Sequence, residues 1–354
     1  MAILVTGGGG YIGSHMTWRL TDDGHAVVVL DNLSTGFRWA VAPEAKLVEG
    51  DVGDTELVLR LIREHGIEAI IHFAGSIVVP DSVVDPLGYY LNNTVKSRAL
   101  IEAAVRGGVK HFIFSSTAAV YGTPETFPVR EDMPLRPESP YGRSKLMTEL
   151  MLADTAAAHD LRYVALRYFN VAGADPAGRT GQSTRGATHL IKVACETALG
   201  KREAITVYGT DYPTADGTCI RDYIHVSDLA AAHADALRYL RSGGASLVAN
   251  CGYGQGFSVL EVLDAVKRVS GRDFRVHLGA RRPGDPVAIV AAPDLAMERF
   301  GWRPRHADLG GIVGDALAWE ERLSRRNARP PRPRLPAGSP RGSPPRARRW
   351  RRGG

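Results

Sequence analysis

Cysteine is scarce, with three among 354 residues at Cys195, Cys219 and Cys251. They are odd in number and widely spaced, with no Cys-x-x-Cys pair and no histidine cluster beside them. That excludes a disulfide framework or a zinc knuckle and leaves the thiols as small buried residues. No metal site is expected. Long apolar runs are also missing: no stretch approaches the roughly 18 residues of a membrane-spanning helix. Met1-Ala2-Ile3-Leu4-Val5-Thr6 leads directly into glycines, without a charged leader or a cleavage site. The expectation is a cytoplasmic protein with no membrane partner. Acid is absent from residues 324–354, which hold eleven arginines. Removing those eleven charges from the net +6 leaves the rest of the chain five negative. Such a body lacks the basic face of a specific nucleic-acid binder. The tail also holds seven of the 21 prolines and little apolar beyond Leu335 and Trp350. It cannot bury enough surface to offset its ordering entropy, so disorder is predicted, with at most non-specific attraction to polyanions.

The rest, in a chain that is 44% hydrophobic and 23% charged, reads as globular. Short apolar β-branched runs at 3–6, 26–30, 46–49, 69–73, 111–115 and 163–167 alternate with amphipathic stretches at 12–22, 54–65, 87–106 and 141–158. This pattern predicts an α/β fold, a doubly wound parallel sheet whose ligands sit at the carboxyl ends of the strands. After 171 the pattern loosens into a glycine-rich stretch, helices near 188–199 and 258–270, and strands near 204–208 and 274–278. The division expected is 1–170 for the sheet domain and 171–323 mainly for a smaller lobe, with some segments returning to the first domain. The tail, 324–354, completes the chain.

Thr6-Gly7-Gly8-Gly9-Gly10-Tyr11-Ile12-Gly13 follows the first strand and opens the first helix, the context a phosphate-cradling loop requires. Glycine lets the backbone approach a pyrophosphate whose charge the helix N-terminus favours. Asp31, about twenty residues on, can accept from ribose hydroxyls. A carboxylate there would repel a 2′-phosphate, so NAD is favoured over NADP, with Arg38 the one cation close by. Asp51-Val52 reads equally as an adenine contact or as a helix N-cap near 51–55. Phe73-Ala74-Gly75 ends the fourth strand with small residues beneath the cofactor's path. Tyr141-Gly142-Arg143-Ser144-Lys145 sets a phenol and an ammonium one helical turn apart. A free tyrosine titrates near pH 10, so a phenolate base at neutral pH needs about 4 kcal/mol of help, which a lysine and an oxidised nicotinamide could supply together.

With Ser115-Ser116-Thr117-Ala118-Ala119-Val120-Tyr121-Gly122, Ser139-Pro140-Tyr141 and Leu166-Arg167-Tyr168-Phe169-Asn170 added, residues 1–323 resemble the extended short-chain dehydrogenase/reductases, and within them the UDP-hexose 4-epimerases. The segments 208–214 and 217–226 reinforce the likeness. The resemblance implies a Rossmann-type sheet domain, an isomerase with tightly held NAD, a homodimer through helices near 87–106 and 141–158, and interconversion of UDP-galactose and UDP-glucose in galactose metabolism. It implies Tyr141 as base, Lys145 as its partner and Thr117 as the group holding the sugar's 4-oxygen. Its cofactor set is Gly7, Gly10, Tyr11, Ile12, Gly13, Asp31, Asn32, Leu33, Ser34, Thr35, Gly36, Asp51, Val52, Phe73, Ala74, Gly75, Asn92, Ser115, Tyr141, Lys145, Tyr168 and Phe169. Its UDP-sugar set is Thr117, Asn170, His189, Tyr208, Arg221, Arg282 and Asp285.

The resemblance also points away from dehydration. Related 4,6-dehydratases carry an acid pair after the threonine, where this chain has Ala118-Ala119, which cannot move a proton. Four positions depart from the family pattern. Ile77 stands where some relatives have a cofactor-contacting lysine, and Ile289 where the family has either a tyrosine or a small residue beside carbon 2. Lys192 replaces a common proline, and Arg143 a common lysine. The alternatives are an epimerase of UDP-N-acetylhexosamines, UDP-pentoses or UDP-uronates, and a catalytically silent NAD-sensing regulator.

Overall fold

The computed structural model describes residues 2–282 and 284–327. In β1 (Ala2–Thr6), Ile3 and Val5 enter one apolar cluster while Ala2 and Leu4 enter another. After α1 (Tyr11–Asp22), β2 (Ala26–Asp31) repeats the alternation with Val27 and Val29 against Val28 and Leu30. A strand apolar on both sides is what a sheet covered on both faces requires. β3 (Lys46–Glu49) precedes α2 (Thr55–His65), which starts on Asp54 accepting from the Leu57 N–H and stops at left-handed Gly66. β4 (Ile67–His72) follows.

After α3 (Val79–Val84), where one helix was predicted over 87–106, the chain forms α4 (Pro86–Tyr89), a π-helical stretch Tyr90–Val95 and α5 (Lys96–Arg106). The widened turn carries Asn92 and Asn93, whose amides bond Ser76 and Ser144. Hydrophobic periodicity does not register such a bulge, which typically marks a functional segment.

β5 (His111–Ser115), α6 (Pro140–Ala158) and β6 (Arg162–Tyr168) continue the alternation. Next come β7 (Asn170–Ala172), α7 (Leu190–Ala198), β8 (Ala204–Tyr208), β9 (Ile220–His225) and α8 (Val226–Arg241). β10 (Leu247–Cys251) then pairs in parallel with β6. The chain ends with β11 (Gly256–Ser258), α9 (Val259–Ser270), β12 (Arg275–Gly279), β13 (Ala288–Ile289), α10 (Asp294–Phe300) and α11 (Leu309–Asn327).

The predicted doubly wound sheet is present, with seven parallel strands in the order β10-β6-β5-β4-β1-β2-β3 rather than six. α1 and α8 supply the cluster on one face, and α2, α5 and α6 that on the other. α8 escaped the sequence reading because Val226–Leu237 is alanine-rich, so its buried face contrasts weakly with the rest, and the short β10 beyond it went unread as well. The winding reverses between β1 and β4, and that is where a cleft opens. β11, β9, β13 and β7 form a second small sheet, β8 pairs with β12, and α7, α9 and α11 share a third cluster. The tail expectation needs correction at its start, because residues 324–327 belong to α11. Leu323 buries against Ala174 and Trp319 and carries the helix past the predicted boundary. The remainder of that expectation lies outside the described residues. All three cysteines are buried and free. Among the described residues no helix is long and apolar enough to cross a membrane.

Candidate active site

At the switch point, backbone meets backbone. Gly7 has φ +71°, and a Cβ there would stand 2.7 Å from the Ala74 nitrogen; on Gly13 it would stand 2.1 Å from the Gly7 carbonyl oxygen. Gly10 is the N-cap of α1 and offers no side chain to its first N–H groups, which suits them to an anion. Asp31 Oδ2 accepts from the Gly9 N–H at 2.8 Å and Oδ1 from the Leu33 N–H at 2.7 Å. Each oxygen keeps a second lone pair for a ribose hydroxyl. These features fit a nicotinamide dinucleotide: a cradle too tight for side chains, an uncapped helix start and a carboxylate about one ribose away.

Asn32, Ser34 and Thr35 are exposed on the loop beyond Asp31, with Leu33 at φ +55° and Gly36 against Gly9. Arg38, the cation that might have admitted a 2′-phosphate, pairs with Glu49 at 2.7 Å. Tyr11 donates to the Gly173 carbonyl, tying α1 to the start of the second lobe, and Ile12 packs on the core. Asp51 is not the helix N-cap, a position held by Asp54. Asp51 accepts from Gly53 and pairs with Lys96, and Val52 is buried in the core. Phe73 stacks on His233.

Ser139 caps α6 through the Gly142 N–H, with Pro140 at its first turn. Tyr141 and Lys145 follow on one buried face. Lys145 Nζ donates to the Ser115 carbonyl at 2.9 Å and lies 5.0 Å from the Phe114 ring centre. Burial lowers the ammonium to about 8, opposed by Glu149. Burial likewise pushes the Tyr141 phenol up to about 12, opposed by the neighbouring Thr117 hydroxyl. One of the three ammonium N–H groups is taken by that carbonyl, and at the phenol burial outweighs the chain's own groups, which leaves the nicotinamide's share of the help that the sequence argument divided between the two. Thr117 caps the short turn Ala118–Val120, accepting from the Ala119 N–H at 3.2 Å. Ser115 bonds the Tyr168 hydroxyl.

In two adjacent pairs the side chains point different ways. Asn92 reaches only the Ser76 hydroxyl, while buried Asn93 grips the Ser76 backbone at both N–H (2.7 Å) and carbonyl (2.9 Å) beside Gly75. Phe169 is buried with Val129, Ile289 and Ala291, away from the Tyr168 hydroxyl that bonds Ser115.

The proposed sugar-nucleotide residues fall in two groups joined by β9. Asn170 pairs with Tyr223 and lines a cavity with His189, Gln182, Trp319 and Glu320. The His189 ring bonds the Gln182 amide at 2.7 Å, so its side chain is already partnered, and burial lowers its pKa. In the second group the Arg282 guanidinium stands 3.8 Å over the Tyr208 ring and Arg221 lies 3.6 Å from Asp285. Arg221 also donates to the Ile220 and Pro286 carbonyls, and Ile289 stands opposite it in register. Ile77 is exposed.

Residues 3–252 match the model of the NAD dependent epimerase/dehydratase family. The chain belongs to that family. It is 59% identical over 321 residues to the UDP-glucose 4-epimerase of Azospirillum brasilense, covering 91% of this chain and 92% of that one. Among solved structures, the UDP-glucose 4-epimerase of Brucella ovis in complex with NAD superposes with a TM-score of 0.87 at 45% identity, over 90% of this chain and 97% of that one. The UDP-Glc/GlcNAc 4-epimerase of Campylobacter jejuni does so at 0.80 and 47%, over 91% and 99%.

The sequence reading of this family member missed the support behind its catalytic turn. Arg167 pairs twice with Glu149 in a buried contact (3.0 and 2.6 Å), and Glu149 also accepts from the Ser116 hydroxyl. Arg167 donates onward to the Tyr121 hydroxyl, and that hydroxyl to Asn250. Glu149 stands one turn beyond Lys145, a spacing that carried the signal. No pattern linked it to Arg167, 18 residues later on a different element.

Proposed function

We propose that the chain interconverts UDP-galactose and UDP-glucose, the reaction of a UDP-glucose 4-epimerase, with NAD retained between turnovers. The observation that carries the reading is the buried pair Tyr141 and Lys145 on one face of α6, beside Thr117 and opposite the glycine cradle. Bound NAD supplies a hydride acceptor that can return what it takes. Thr117 holds the 4-oxygen and Tyr141 removes the 4-hydroxyl proton. The phenol's high pKa means that it needs a nearby positive charge, which the oxidised nicotinamide carries. Lys145, fixed by the Ser115 carbonyl, faces the nicotinamide ribose. Ala118 and Ala119 offer no proton, so elimination of water has no acid or base here. The 4-ketose presents its opposite face and recovers the hydride, inverting carbon 4 with no net redox.

For that turn the nucleotide must be gripped and the sugar left loose, so binding falls to remote groups. Arg221 and Arg282 suit a diphosphate because a guanidinium pairs phosphate oxygens bidentately. Tyr208, Asp285, Asn170 and His189 complete the enclosure. Asp31, without a free arginine beside it, supports NAD over NADP. Exposed Leu87, Leu91, Val95, Met147 and Leu150 make one apolar face on the 86–106 and α6 helices, which supports a homodimer through them. Three unpaired cysteines fit a reducing cytoplasm, where we place the protein in galactose metabolism.

The test is incubation with UDP-galactose and no added cofactor, followed by proton NMR. Appearance of UDP-glucose is expected; no conversion even after NAD is supplied would refute the assignment. A parallel incubation with UDP-N-acetylgalactosamine tests the broader substrate range. Ile289, buried at 8% exposure, is intermediate in bulk between the tyrosine and the small residue of the family pattern, so that incubation decides the range. Sedimentation tests the dimer.

A further inference from the structure

Trp39 sits just beyond the loop that leaves Asp31, and three groups hold its indole. Phe37 lies at 5.2 Å between ring centres, Trp319 at 5.9 Å, and the Arg326 guanidinium stands 4.1 Å over the ring. Trp319 and Arg326 both come from α11, two turns apart and so on one face of it. Trp319 is itself immobile, being 4% exposed, with Nε1 donating to Ser183 Oγ at 3.3 Å. Its ring lies so close to Gly181 that a Cβ there would meet it at 2.4 Å.

Just before Trp39, the same end of the loop is stitched to the phosphate cradle. Phe37 N–H donates to the Gly9 carbonyl at 2.8 Å, and a Cβ on Gly36 would stand 2.8 Å from the Gly9 carbonyl carbon. Between Asp31 and that end, Asn32, Ser34 and Thr35 are exposed. An exposed segment of this kind opens readily unless its ends are fixed.

We propose that the C-terminal half of α11, through Trp319 and Arg326, is a strap that fixes the ribose-facing loop 32–37 and sets how long the dinucleotide is retained. The inference rests on the reading of this cleft as an NAD site and deepens it. A dinucleotide that must return its hydride to the same sugar cannot leave between the two steps, and the loop over its ribose is the part of the site able to open. The strap acts through Trp39 and touches no reacting atom, so Trp319 and Arg326 are positioning residues. Trp319 also lines the cavity that contains Asn170 and His189. The same indole therefore borders both halves of the cleft.

The experiment compares full-length wild type with Arg326→Ala, Arg326→Lys, Trp319→Leu and the neighbouring Arg325→Ala. One readout is the rate of NAD release from the loaded protein; the other is tryptic cleavage after exposed Arg38 in the cofactor-stripped protein. A cation over an indole shifts an opening equilibrium about two- to five-fold, which is the acceleration expected in both readouts for Arg326→Ala. Trp319→Leu should accelerate both about tenfold, since it removes the stacked ring as well. Arg326→Lys should restore retention and Arg325→Ala should match wild type, while kcat per NAD-loaded site stays constant in the Arg326 and Arg325 variants.

Equal release and equal Arg38 cleavage in Arg326→Ala and wild type overturn the strap. So does an Arg325→Ala variant that behaves like Arg326→Ala, because net charge would then explain the effect. Should Trp319→Leu fail to fold, the Arg326 and Arg325 variants decide alone. A wild type that neither carries nor takes up NAD overturns the site reading itself, and the Arg38 cleavage still tests the strap separately.

Discussion

The two ends of the cleft are built from different materials. The dinucleotide end is backbone: Gly7 against Ala74, Gly13 against Gly7 and Gly36 against Gly9, at the ends of β1, β4 and β2. The sugar-nucleotide end is side chains: Arg221, Arg282, Tyr208 and Asp285 from three separate segments, two of them exposed. A site made of backbone is fixed in shape and fails when one carbon is added. A site made of long side chains adapts, and loses affinity in steps when one is removed. The contrast suits a cofactor that stays and a sugar that must turn over.

Tyr141 sits where the two ends join. Tyr141→Phe should lower kcat by about 10²–10⁴ while leaving NAD content and UDP affinity intact. A loss below tenfold would mean that another group takes the proton. Gly13→Ala tests the rigid end alone, since its new Cβ would stand 2.1 Å from the Gly7 carbonyl oxygen. Protein purified with little NAD and a lowered Tm is the expected result, and NAD content equal to wild type would show that the cradle can yield. Arg282→Ala is the matching change at the other end. Losing charge-assisted hydrogen bonds should weaken UDP about ten- to a hundredfold, with NAD retained. If Arg282→Ala instead emptied the cofactor site, the two ends would not be separable.

The smallest effect concerns pH. Lys145 titrates near 8 in the folded protein and near 10.4 unfolded, so between those values the unfolded chain binds the extra proton and stability rises with pH. Tyr141, raised to about 12 from about 10, acts oppositely, and its contribution falls as pH climbs from 10 to 12. In cofactor-stripped protein, Lys145→Met should remove the rise between pH 8 and 10.5 from the Tm profile. An unchanged profile would mean that the ammonium is not desolvated.

Legibility followed the same division. The cradle and Asp31 could be read because each lies at a strand end, and the Tyr141/Lys145 pair because its members are one helical turn apart, where spacing alone implies proximity. The lysine's actual partner could not, since only the fold brings the Ser115 carbonyl to Nζ. The hold of Asn93 on Ser76 could not be read, because only the π-turn shows which of two adjacent amides points inward. α8 went unread because alanine gives little contrast between faces. The helical start of the tail was missed because composition weighed its arginines without the buried Leu323 that precedes them.

The sequence by itself determined the alternation of strands and helices, the glycine cradle with its acid, and the helical turn carrying phenol and ammonium. Each depends on residues close in the chain, where covalent geometry restricts the outcome. Only the tertiary structure decided the seventh strand, the Glu149–Arg167 support, the grouping of Arg221 with Asp285 and the contact of α11 with Trp39. Those depend on which distant surfaces bury each other, a choice made by packing the whole chain.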